Sequence, residues 1–163
     1  MTKYEEIKEV ALAAQRNFSE RQQRSWQYGA KLVQGFASYC EIPKENIRVM
    51  RWNGDEAHPP YEEAEPGHNF VAPSAMKFDE ESETWRFGLR IILTPSQWVF
   101  FGLHVADSDG RASIRIGTGE VRKIDPDDQN QWNELYNSIV GLIKGCHQGG
   151  IAKRSGIGFS IGT

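Results

Sequence analysis

Residues 85–117 read WRFGLRIILTPSQWVFFGLHVADSDGRASIRIG, and the alternation inside this stretch decides the fold. Phe87, Leu89, Ile91 and Leu93 alternate with Arg86, Gly88, Arg90 and Ile92. Val99, Phe101, Leu103 and Val105 alternate with Phe100, Gly102, His104 and Ala106, and Ala112, Ile114 and Ile116 alternate with Arg111, Ser113, Arg115 and Gly117. Successive side chains of a strand point to opposite faces, so period-two alternation predicts half-buried strands. Pro95-Ser96 and Asp107-Ser108-Asp109-Gly110 carry the residues that tight turns demand, which makes the three runs an antiparallel meander.

Keeping every apolar set on one face restricts the register, because a one-residue slip turns a whole strand over. Pairing Leu93 with Val99 places Leu89 opposite Leu103 and Phe87 opposite Val105. Pairing Ala106 with Arg111 places Leu103 opposite Ile114 and Phe101 opposite Ile116. A preceding strand over Ala75–Phe78 sets Phe78 beside Trp85 and Met76 beside Phe87, with an acidic hairpin loop from Asp79 to Thr84.

Outward from the meander the periodicity becomes helical. Ile7, Val10, Ala11, Ala14 and Phe18 recur at three- and four-residue spacing. Ser19 with Gln22 forms a candidate capping box, predicting a second helix that sets Trp26, Ala30, Val33, Phe36, Ala37 and Cys40 on one face. Residues 47–52 suit a short strand. Residues 53–74 hold four prolines and two glycines, which predicts an acidic loop. Asp125 and Pro126 suit the start of a C-terminal helix whose stripe is Trp132, Leu135, Tyr136, Ile139, Leu142, Ile143 and Cys146. Ile157, Phe159 and Ile161 then alternate as a last strand. The expectation is one α+β domain over 1–163: an antiparallel meander of four to six strands, with N-terminal helices and a C-terminal helix packed on one face.

Composition narrows the class of protein further. With 39% hydrophobic and 25% charged residues, the chain is globular rather than disordered. The charged N-terminus predicts no signal peptide, and no apolar run approaches a bilayer span, so no membrane partner is expected. Cys40 and Cys146 read as reduced thiols, which together with the charged start predicts a cytoplasmic protein. The net charge is −3, but residues 54–84 hold nine acids against one base, whereas residues 85–124 hold six bases against three acids. No long basic stripe is present, which argues against nucleic acid.

The polar face of the meander carries the site residues. In the register above, Lys77, Arg86 and Arg111 share a row with Ala106, and Arg90, Gly102 and Arg115 share another. Gly88, His104 and Ser113 lie between them. Arginine forks beside a missing side chain suit a carboxylate or phosphate. The competing reading is a solvated face whose arginines meet the acidic loop of the same chain. His104 is a candidate general acid or base, but no nucleophile or orienting carboxylate accompanies it in the sequence.

Other constellations are weaker. His58, His68 and the acids Asp55, Glu56, Glu62, Glu63 and Glu65 match no closed metal-ligand spacing. Gly117-Thr118-Gly119 is not followed directly by a helix, as a phosphate loop requires. The sequence therefore predicts a non-catalytic binding protein without cofactor or metal. It would engage an anionic small molecule or an acidic protein surface through Arg86, Arg90, His104, Arg111 and Arg115. A small enzyme using His104 and a homo-oligomer joined through the last strand are the alternatives.

Overall fold

A computed structural model describes residues 1–52, 75–95, 97–117, 119–148 and 159–162. The fold is α+β. Helix α1 (Lys3–Tyr39) leads through a single 3-10 turn to β1 (Ile47–Met50). Strands β2 (Lys77–Asp79), β3 (Thr84–Thr94), β4 (Gln97–Ser108), β5 (Arg111–Ile116) and β6 (Arg122–Ile124) follow, then helix α2 (Gln129–Gln148) and β7 (Phe159–Gly162). All strand pairings are antiparallel: the order is β1-β3-β4-β5-β6, with β2 also on β3 and β7 also on β4. Of the seven described strands, β6 alone lies where none was expected, and β1 and β7 join β2–β5 in the same sheet.

The alternation places every strand on the expected face, but two registers differ from expectation by two residues. Phe87 pairs with Leu103, Leu89 with Phe101 and Ile91 with Val99. Leu103 pairs with Ile116, and Val105 with Ile114, so Leu103 and Ile114 are diagonal neighbours. The cause lies in the turns. The β4–β5 hairpin turns on Asp109 (φ 50°) and Gly110 (φ 81°) alone, a two-residue loop with positive φ at both positions. That conformation matches strand twist and draws Asp107 and Ser108 into β4. Between β3 and β4 a bulge at Ile92/Thr94 absorbs the mismatch and leaves Leu93 exposed. The β2–β3 register is the expected one, with Lys77 opposite Arg86 and Phe78 opposite Trp85.

One long helix replaces the two expected at the N-terminus. Its cap is Thr2, whose hydroxyl accepts from the Glu5 amide while the Glu5 carboxylate accepts from the Thr2 amide. Ser19 lies within the helix, since no Gly or Pro interrupts the residues around it. Packing on the sheet begins at Phe18, whose ring meets Phe78 and Trp85, and deepens along the second half. Leu32, Val33 and Phe36 are buried, with the Phe36 and Phe101 rings perpendicular at 6.4 Å. Ile7 and Val10 remain 68% and 71% exposed, so of the first apolar stripe Phe18 alone is shown against sheet residues, Phe78 and Trp85.

The second helix completes that layer with Trp132, Leu135, Tyr136 and Ile139. It begins later than expected: Asp128, not Asp125, accepts from the Asn130 amide, while Asp125 and Pro126 belong to the preceding turn. Gly35 lets the helices approach, because a Cβ there would run into the Tyr136 phenol. The helical layer is locked to the β4–β5 hairpin by buried Asp107. Its carboxylate accepts from Arg24 Nε at 2.9 Å and Tyr28 Oη at 3.0 Å. Burial of the Tyr28 phenol, and then its hydrogen bond to Asp107, push it up to about 12.

Candidate functional site

The corrected registers rearrange the face away from the helices. Lys77, Arg86, His104 and Arg115 now form one cross-strand row. Gly88 stands opposite Gly102 in the next row, and Arg48, Arg90 and Phe100 form the row beyond. Arg90 and Arg115 therefore do not flank Gly102 side by side, and Arg111 lies opposite Ser108 at the hairpin end instead of beside Arg86.

His104 sits at the centre of a directional hydrogen-bond chain. Its side chain is buried, and Arg115 Nη2 lies 3.1 Å from Nε2. A guanidinium only donates, so Nε2 is the acceptor and the proton resides on Nδ1. Nδ1 donates to Thr84 Oγ1 at 2.9 Å, Thr84 donates to Ser82 Oγ at 2.7 Å, and Ser82 donates to Asp79 Oδ2 at 2.6 Å. Asp79 is also 3.8 Å from Arg86 Nη1. The chain runs from a cation to an anion through neutral groups that are each satisfied.

Its electrostatics follow. Burial first, then Arg115, lower His104 from 6.5 to about 4; Asp79 opposes them, and Arg86 adds a smaller lowering. Hydrogen bonds from Ser82 and the Glu81 amide hold the Asp79 carboxyl below its usual range against a smaller desolvation effect. His104 is thus neutral near pH 7 with both nitrogens engaged. A general base needs a free lone pair, so this geometry favours a structural role for the imidazole.

The glycine gap that the sequence offered to a ligand is filled by the chain itself. A Cβ on Gly102 would strike the Trp52 ring, and one on Gly88 would strike Phe100. Met50, Trp52 and Phe100 make a second, small buried cluster here, and the Trp52 ring meets the His104 ring edge-on at 5.2 Å. Arg90 stacks over Trp98, 4.9 Å from the ring centroid.

What remains is a broad basic surface. Arg48, Lys77, Arg86, Arg90, Arg111, Arg115 and Lys123 project from it, and Asp79 is the one acid among its described strand residues. Arg48 and Arg115 are half-buried. Arg48 donates to the Lys44 and Ile47 carbonyls and Arg115 to His104, and neither meets a carboxylate among the described residues.

Sequence reasoning missed Arg48, Trp52 and the Thr84–Ser82–Asp79 relay. The alternation of Ile47, Val49 and Arg48 signalled a strand, but its partner was not assignable from pattern alone. No three potential metal ligands cluster among the described residues, and the acidic and histidine-bearing stretch 53–74 lies outside them. No described helix is long and apolar enough to cross a membrane. No family model, curated protein or solved structure matches the chain.

Proposed function

We propose that the chain is a non-catalytic, cytoplasmic binding protein whose basic sheet face engages an anionic ligand or an acidic protein surface. The observation that carries this reading is the pair of half-buried guanidiniums, Arg48 and Arg115, that meet no carboxylate among the described residues. A partly desolvated cation gains most from an anion that completes its shell, and the planar fork suits a carboxylate. Two features favour an extended acidic protein surface over a small molecule. The cations are spread over several strands, and the Gly88/Gly102 depression is occupied by Phe100 and Trp52.

The test uses a fluorescein-labelled deca-glutamate peptide as probe. Binding that weakens with salt is expected. Replacing Arg48 and Arg115 together by Lys keeps the charge and loses the forks, and affinity should fall roughly tenfold with the fold intact. Equal affinity of the double variant and the parent, or no binding at low ionic strength, would sink the proposal.

A further inference from the structure

We propose a second, independent binding site for small aromatic ammonium compounds, in the crevice where α1 leaves the sheet beside the β2–β3 hairpin. A cavity of about 340 Å³ opens there, within the range of small-molecule sites. Its apolar wall is three aromatic rings. Phe18 and Phe78 are perpendicular with centroids 5.2 Å apart, Phe78 and Trp85 are inclined at 5.2 Å, and Phe18 reaches Trp85 at 6.2 Å. Rings at these mutual angles present faces in more than one direction, which suits both an aromatic body and a cation. Phe18 remains 45% exposed although it sits against two other aromatics.

The charge of the ligand follows from the groups at the mouth. Glu80 and Glu83 line the crevice, both are exposed, and neither enters an ion pair among the described residues. On the helix side Arg21 donates to the Asp107 carbonyl at 3.3 Å, and Arg24 neutralises the Asp107 carboxylate. Two carboxylates without an ion pair among the described residues, against one guanidinium bonded to a carbonyl, leave the mouth acidic. An ammonium held there can keep its apolar body against Trp85 and Phe78. This chemistry is opposite in sign to the basic sheet face, so the two sites select different partners.

The experiment titrates the full chain with 2-phenylethylammonium, its neutral analogue 2-phenylethanol and its anionic analogue 3-phenylpropanoate. The readout is the Trp85 indole N–H resonance, assigned with a Trp85→Phe variant. A saturable shift is expected for the ammonium, at least tenfold tighter than for either analogue. The Glu80→Gln/Glu83→Gln variant should lose that preference while its thermal midpoint stays unchanged, since both side chains are exposed. Phe78→Ala should weaken all three compounds. Equal binding of ammonium and alcohol, preference for the carboxylate, or no saturable shift with any of the three would overturn the assignment.

Discussion

Arg115 and His104 stand side by side in one cross-strand row, and the 3.1 Å contact between Nη2 and Nε2 fixes the imidazole as neutral. Protonating His104 would set a donor against a donor next to a second guanidinium, Arg86. The row therefore records its own protonation state.

Stability should fall in mild acid. The folded-state value of His104 is about 4 against an ordinary 6.5, so between these values the unfolded chain binds the extra proton. Its contribution is complete above about pH 6.5 and is lost as pH falls towards 4, roughly 3 kcal/mol in all. Urea midpoints at pH 7 and pH 4.5 should show the loss, and His104→Gln should flatten the profile in that window. An imidazole titration by NMR with a midpoint near 6.5 would contradict it.

Gly102 is needed because Trp52 lies on it. Gly102→Ala should cost about 1–3 kcal/mol through overpacking. In a Trp52→Ala background the same substitution should cost less by at least about 0.5 kcal/mol, measured as a double-mutant cycle. Additive costs would mean that the two positions are not in contact.

Asp107 ties α1 to the β4–β5 hairpin. Asp107→Ala should cost about 1–3 kcal/mol, since it removes the carboxylate that pairs Arg24 and leaves the Tyr28 hydroxyl only the longer bond to the Gly110 carbonyl. Hydrogen exchange should then accelerate in the second half of α1. A change below about 0.5 kcal/mol, typical of a surface position, would remove the clamp from the account.

Leu103 lies at the centre of the sheet opposite Phe87 and Ile116 and is fully buried. Leu103→Ala should cost about 2–5 kcal/mol in chemical denaturation. A surface-like response would refute the face assignment of β4.

Much of the fold was legible because strand periodicity survives a register error of two. Moving β3 or β5 by two residues keeps Phe87, Leu103 and Ile114 on the core face, so the buried set followed from alternation. The site was less legible for the same reason. An even shift preserves faces but exchanges rows, and it carried Arg115 from Gly102 to His104. Tight turns set that shift, and Asp107-Ser108-Asp109-Gly110 admits both a four-residue and a two-residue loop. The α1 error has another origin. Ser19 and Gln22 satisfy a local capping rule, but good helix formers on both sides let the helix run on from Thr2.

The amino-acid pattern alone determined the α+β class, the inward face of each meander strand and the basic character of the opposite face. Those properties depend on local periodicity and side-chain chemistry. Tertiary structure decided which cations share a row, which aromatic fills each glycine gap and which proton His104 carries. These depend on pairings between residues far apart in the chain, such as Arg48 with Arg90 and Trp52 with Gly102, where turn length and packing outweigh local preference.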